Sequence, residues 1–200
     1  MIRAATADDP LRVAVLASGR GSNLAALLER LDPTVAIVAV ASNRADAIAL
    51  RRAEEEGIET AVFPRGDDWA ERDRALVAWL EQRRVELVVL AGFMEILTAD
   101  LVDRLPVVNV HPSLLPAFPG LRAWEQALDA GVDETGVTVH FVDTGLDTGP
   151  VIAQEPVPVR AGDTPAALHE RIQAVEHRLL PTVVRRLAAD DVPEPERSAA

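Results

Sequence analysis

The sequence predicts an α/β fold of the Rossmann-like kind: a mostly parallel central sheet flanked by helices, with mixed strands in the C-terminal half. Three observations carry this. Short β-branched runs are apolar along their whole length, as buried parallel strands require. Stretches with helical spacing separate them, and a glycine turn stands where the first run gives way to a helix. Arg12 to Ser18 (RVAVLAS) is the first strand, and Ser22 to Leu31 follows with Leu24, Leu27, Leu28 and Leu31 at helical spacing. Val35 to Ala41 reads as a buried strand, Ala45 to Glu56 as a helix closed by Gly57, and Thr60 to Phe63 as a short strand. Trp69 to Arg84 is a third helix with Trp69, Leu76, Val77 and Leu80 on one face, and Glu86 to Ala91 is the next strand.

After residue 105 the texture changes. Pro106 precedes the strand VVNVH, a proline-rich loop follows, and Leu121 to Ala130 is a short helix. Gly136 to Val142 alternates with period two, and GLDTGP is a turn. Val151 to Val159 contains Pro156 and Pro158, which only an edge strand tolerates. The terminal helix, Thr164 to Leu187, opens with Thr164 as N-cap and Pro165 at the first helical position. Residues 12–189 are thus expected to form a single domain, its N-terminal half running to about residue 105. The polar segments 1–11 and 190–200 are expected to be flexible.

Composition narrows the chemistry. Twenty basic residues against 32 acidic ones give a formal charge of −12, which argues against nucleic-acid or anionic-membrane partners. No apolar run reaches the ~20 residues that a bilayer span needs, and the start MIRAATADDP has no signal-peptide core, so a cytoplasmic protein is expected. The chain has no Cys, no Tyr and no Lys. Thiolate nucleophiles, Cys-ligated metals, Schiff bases and a Walker A lysine are therefore excluded. No His or acid pair has a compelling metal-ligand spacing.

Three constellations remain. Gly19-Arg20-Gly21-Ser22-Asn23 opens a helix directly after a strand, where backbone N–H groups make an anion site. Leu24 stands where a dinucleotide fingerprint needs its third glycine, so a monophosphate fits better than a dinucleotide, the alternative being a plain strand-to-helix turn. Asn109 and His111, two apart in a strand, face one side at its carboxyl end, with Pro112 and Ser113 following. An amide there stabilises an oxyanion and an imidazole moves a proton; the alternative is a structural histidine. Asp147, in the turn Leu146 to Pro150, supplies the carboxylate that His111 otherwise lacks, with Asp143 as competitor. His140 is expected to support the centre by hydrogen bonding, while His169 and His177 fit a polar helix face.

Through SGRGSN, SNRADA, VVLAGFMEIL, NVHPSLLPAFPGL, GVTVHFVDTGLDTGPVI and AVEH, the chain resembles the folate-dependent phosphoribosylglycinamide formyltransferases from about Arg12 to Ala189. The resemblance implies a formyltransferase fold, with formyl transfer from 10-formyltetrahydrofolate to glycinamide ribonucleotide and no metal. It further implies that Asn109, His111 and Asp147 form the reacting centre, with Ser113 and His140 supporting it. Gly21, Ser22 and Asn23 would hold the acceptor phosphate and Glu176 the ribose hydroxyls. Met94, Glu95, Ile96 and Leu97, with Asn109 and the turn Asp143, Thr144, Gly145, Leu146 and Asp147, would receive the folate. The partners implied are small molecules alone, for a monomer or homodimer.

The chain departs from the family pattern at two places. Glu95 stands where relatives often carry a basic residue, and is expected to lie solvated at the pocket mouth, repelling the folate's glutamate tail. Trp69 stands near the place of a phosphate-site arginine, for which Arg65 or Arg72 are the candidate substitutes. The competing activities are a formyltetrahydrofolate hydrolase, whose relatives usually carry an N-terminal regulatory domain, and a non-catalytic nucleotide-binding module.

Overall fold

The computed structural model describes residues 2–66 and 68–192. Its centre is a seven-stranded sheet built from β1 (Leu11–Leu16), β2 (Val35–Ser42), β3 (Glu59–Val62), β4 (Leu87–Leu90), β5 (Val107–His111), β6 (Glu134–Phe141) and β7 (Val151–Pro158). The order is β3-β2-β1-β4-β5-β6-β7, parallel from β3 through β5 and antiparallel from β5 to β7. The helices are α1 (Ser22–Arg30), α2 (Ile48–Glu55), α3 (Trp69–Gln82), α4 (Ala99–Val102), α5 (Ala123–Asp129) and α6 (Pro165–Ala188).

The uninterrupted apolar strands are buried on both faces. In β1, Val13 and Val15 join the core beneath α1, α2 and α6, whereas Ala14 and Leu16 join the core beneath α3 and α4. In β4, Leu87 and Val89 take the first side and Val88 and Leu90 the second. β7, with its two prolines, is an edge strand. Thr164 caps α6 by accepting from the Ala167 N–H at 3.2 Å, with Pro165 next. No helix among the described residues is long and apolar enough to cross a membrane.

Four expectations need correcting. The short helix α4 lay hidden in the segment between strand and Pro106, too brief for a periodicity to register. The helix predicted from Ala45 starts at Ile48, because Ser42 to Ala47 is spent on a turn in which the Arg44 N–H donates to Ser42 Oγ at 3.0 Å. In α3, Leu76, Val77 and Leu80 are buried as expected, but Trp69 is only half-buried under the Arg65 guanidinium, and Arg72 and Asp73 take the inner position instead. The leading residues are tied down: Ile2 is buried, Ala5 N–H donates to the Ala188 carbonyl at 2.8 Å, and Arg3 donates to Glu86 at 2.8 Å. Val192 is also at the edge of the core, and residues 193–200 of the expected tail lie outside the described ones.

Gly136 marks the tightest packing in β6. A Cβ there would lie 2.4 Å from the Glu155 carbonyl oxygen and 2.5 Å from a Leu114 methyl. Gly136→Ala is expected to destabilise the chain by about 1–3 kcal/mol through overpacking, read as a lowered Tm; an unchanged Tm would mean that the loop bearing Leu114 yields freely.

Candidate active site

At the carboxyl end of β1 the chain must turn sharply into α1. Gly21 has φ 69°, and a Cβ there would lie 2.8 Å from the Ala49 Cβ, so only glycine fits. The Gly19 carbonyl accepts from the Ala49 N–H at 3.1 Å, and the Arg20 carbonyl from Arg52 Nε at 3.1 Å, which pins the turn to α2. No side chain caps α1, leaving the backbone N–H groups of its first turn facing outward for an anion. Asn23 donates from Nδ2 to Glu176 Oε2 of α6 at 3.0 Å, with both side chains buried. Burial raises the Glu176 carboxyl above the usual range, against the opposing pull of the Asn23 hydrogen bond. The Asn23 Oδ1 is buried without a partner among the described residues, an acceptor available to a hydroxyl.

The second cluster forms where β5 ends. Asn109 and His140 are register partners across β5 and β6, and Asn109 Nδ2 stands 3.2 Å from His140 Nε2. His140 Nδ1 lies 2.7 Å from the Phe141 carbonyl and must carry the hydrogen, so Nε2 is the acceptor for the amide. Desolvation holds His140 below its ordinary pKa, in keeping with that neutral tautomer, although Asp147 acts in the other direction. His111 Nε2 points at the Phe118 carbonyl, 2.9 Å away, and Nδ1 at Asp147 Oδ2, 3.4 Å away. Asp147 Oδ1 is 3.5 Å from Asn109 Nδ2 and 3.7 Å from His140 Nε2, and Oδ2 accepts from the Gly120 N–H at 2.8 Å. Asp147 has φ 54° and Phe118 φ 55°, conformations that side chains adopt at a cost and that recur at functional sites. Ser113 Oγ donates to the Ala117 carbonyl at 2.5 Å and so shapes the loop that returns Phe118 to His111.

The turn from Asp143 to Asp147 closes this side. Asp143 Oδ1 accepts from the Gly145 N–H at 2.9 Å and from Thr148 Oγ1 at 2.8 Å, an Asx turn that leaves Leu146 exposed. Asp143, the sequence competitor, is thus used within its own turn, and Asp147 alone reaches His111. A cavity of about 280 Å³ opens beside Asp147, with Leu115, Pro116 and Leu146 in its wall. The loop after β4 holds Met94 and Ile96 exposed and Leu97 buried.

Glu95 departs from expectation. Its side chain is 7% exposed, accepts from Asn43 Nδ2 at 2.9 Å, and lies 3.6 Å from Arg72 Nη1 and 3.9 Å from Arg65 Nε. It is an interior partner of cations, not a solvated acid at the mouth. Of the two candidate arginines, Arg72 is buried against Asp73 and Glu95, whereas Arg65 is exposed, its guanidinium over Trp69 and 3.9 Å from Glu95.

A family model described as formyl transferase matches residues 11–184. The chain belongs to this family. The formyl transferase is 43% identical over 198 residues to the phosphoribosylglycinamide formyltransferase of Mycobacterium tuberculosis, covering 95% of this chain and 91% of that protein. It is 44% identical over 188 residues to the human trifunctional purine biosynthetic protein adenosine-3, covering 90% of this chain but only 19% of the relative's length. Among solved structures, glycinamide ribonucleotide transformylase 1 from Symbiobacterium toebii superposes with a TM-score of 0.89 at 41% identity, over 94% of this chain and 92% of that one.

Sequence reasoning missed several residues that hold this formyl transferase's site together. Ser18 Oγ accepts from the Met94 N–H at 2.8 Å, and Asp73 Oδ2 from the Thr98 N–H at 2.7 Å. The signal for Arg72 and Asp73 was present: both fall on the apolar face of α3, one turn before Leu76 and Val77. His169 also differs from the plain polar-face reading, stacking on Trp124 with ring centroids 3.8 Å apart.

Glu176 gives a test of this geometry. Because its pKa is raised in the fold, the unfolded chain releases the proton more readily, and ionisation costs stability that grows as pH rises from the ordinary carboxylate range. Glu176→Gln is expected to raise Tm at neutral pH by about 2–4 °C per kcal/mol of relieved cost, with the gain vanishing near the ordinary carboxylate pKa of about 4.3. Thermal melts across pH check it, and a pH-independent difference contradicts the assignment.

Proposed function

We propose that this formyl transferase moves the formyl group of 10-formyltetrahydrofolate to the amine of glycinamide ribonucleotide, giving formylglycinamide ribonucleotide and tetrahydrofolate in purine biosynthesis. The observation that carries this reading is the convergence of Asn109, His111 and Asp147, with His111 Nδ1 3.4 Å and Asn109 Nδ2 3.5 Å from the two carboxylate oxygens. The carboxyl end of β4, which leads into a loop with exposed apolar side chains, lies beside that of β5, and the end of β1, which leads into a helix without a side-chain cap, lies next beyond it. The activities by which the Mycobacterium tuberculosis and Symbiobacterium toebii proteins are named support it. The setting proposed is the cytosol, with small-molecule substrates only.

Gly21, Ser22 and Asn23 hold the acceptor's phosphate and Glu176 its ribose, leaving the amine to reach the centre. The loop residues Met94, Glu95, Ile96 and Leu97 and the turn Asp143, Thr144, Gly145, Leu146 and Asp147 hold the donor. Attack of the neutral amine on the formyl carbon creates an oxyanion. Asn109 spends one amide hydrogen on His140 Nε2; the other, with only a long contact to Asp147, turns to the oxyanion. His140 thereby fixes which way the amide points.

One proton must leave the attacking nitrogen and one must reach the departing N10. Since His111 Nε2 faces a carbonyl and keeps its hydrogen, Nδ1 is the exchangeable position, and the proton between Nδ1 and Asp147 Oδ2 is the one available for relay. No covalent enzyme intermediate is required, in accord with a chain without Cys or Lys.

Deformylation of a formyl-folate is expected only when glycinamide ribonucleotide is present. Release without acceptor would assign a hydrolase, and no release in either case a binding module. Asp147→Asn and His111→Ala are each expected to lower kcat by at least ~10²-fold, the lower end of general acid–base contributions, with circular dichroism unchanged; near-normal rates remove the residue from the centre. Stripping the phosphate from the acceptor is expected to weaken its binding and leave donor binding unaltered. Equal affinities for nucleoside and nucleotide would place the phosphate elsewhere.

A further inference from the structure

We infer that Gln154 of β7, acting through Thr138 of β6, positions His111: the two side chains hold the proline-rich loop so that the Phe118 carbonyl meets His111 Nε2. The inference rests on the reading of His111 as the proton carrier of formyl transfer. Thr138 is the register partner of His111 on one side and of Gln154 on the other, so the three side chains stand in a row on one face of the sheet. The chain leaves β5 at His111 and comes back to that residue with Phe118, and the backbone between them lies outside the sheet. Side chains hold it instead. Thr138 Oγ1 donates to the Ser113 carbonyl at 2.7 Å and accepts from the Leu115 N–H at 3.0 Å. Gln154 Nε2 donates to the Leu115 carbonyl at 2.8 Å and to Thr138 Oγ1 at 2.9 Å.

The polarity of this network has one solution. A carbonyl only accepts and an N–H only donates, so the amide must present its nitrogen to the loop and the hydroxyl hydrogen must go to Ser113. With one hydrogen given and two received, the Thr138 hydroxyl has its full complement of bonds, and the residue is fully buried. A buried network satisfied throughout is rigid. From Leu115 the fixed backbone runs on through Ala117, whose N–H donates to the Leu114 carbonyl at 3.0 Å, to Phe118, whose carbonyl takes the His111 Nε2 hydrogen at 2.9 Å. Gln154 itself is exposed on the edge strand, two strands away from His111. It is therefore a positioning residue, which the reacting atoms feel only through the loop.

Gln154→Met removes both donated hydrogens at nearly constant volume, and Gln154→Glu turns an acceptor on the Leu115 carbonyl. In Gln154→Met, kcat for formyl transfer is expected to fall roughly tenfold, within the ~10²-fold that a misplacement of about 1 Å costs. Gln154→Glu should lose more, with KM for both substrates kept within about twofold in each variant. Thr138→Ser, which keeps the hydroxyl, is expected to recover most of what Thr138→Val loses. The His111 imidazole separates positioning from plain stability. Its buried Nε2–H, held by a carbonyl, is expected to give a sharp proton signal correlated with the ring nitrogen in the unaltered protein, broadened or lost in Gln154→Met. A normal kcat in Gln154→Met overturns the inference, as does a lowered kcat with the His111 signal unchanged, which would reduce the network to a structural role. A raised KM with kcat kept would hand Gln154 to substrate binding and overturn it too. Should Thr138→Val fail to fold, Gln154→Met alone carries the test. Failure of formyl transfer in the unaltered protein would sink the proposed activity, whereas a His111 signal that persists in Gln154→Met sinks this inference whether or not transfer occurs.

Discussion

The Asp147 carboxylate ties the proline-rich loop to the paired strands β5 and β6 at one point. One oxygen accepts from Gly120 N–H and faces His111; the other faces Asn109 and His140. Charge-assisted contacts of this kind are short-ranged and directional, so the return of the proline-rich loop, the aim of the imidazole and the orientation of the amide are set together. The backbone accepts a left-handed conformation at Asp147 to allow it. Gly149 completes the arrangement, since a Cβ there would lie 1.9 Å from the Phe141 carbonyl oxygen.

Around that centre the two sides of the cleft are built by different means. One side uses a helix N-terminus, fixed by the contact of Gly21 with Ala49 and by the Asn23–Glu176 bond to α6. The other side uses an irregular loop, whose backbone no ladder holds and which therefore needs side chains from α3 and from the residues just after β1 and β2 to fix it. The sheet makes both possible by bringing the carboxyl ends of β1, β4 and β5 side by side, the usual place for ligands in open α/β sheets.

How much of this was legible depended on whether the determining interaction was local. The seven strands, the glycine turn and the cap of α6 follow from period, composition and dihedral demands within a few residues, and all stand close to their expected bounds. Asn109, His111 and Asp147 were legible because motif and strand alternation place them together. The partner of Glu95 was not: its neutralising arginine lies 23 residues upstream on a helix, and an acid beside exposed Met94 and Ile96 reads as surface until the burial of Arg72 is seen. The anchoring of residues 2–5 failed for the same reason, because it depends on Ala188 and Glu86, remote in sequence.

The account stands on the order of hydrogen bonds at the centre, and imidazole nitrogen NMR reads it directly. Long-range proton–nitrogen correlation spectra of the 15N-labelled protein, with the four histidines assigned by single His→Gln variants, distinguish the tautomers. His140 is predicted to be neutral with its hydrogen on Nδ1, the less common tautomer, and His111 to carry a hydrogen on Nε2. A His140 protonated on Nε2 would leave Asn109 facing another donor, and with it the oxyanion-directed amide and the orienting role of Asp147 would both be contradicted.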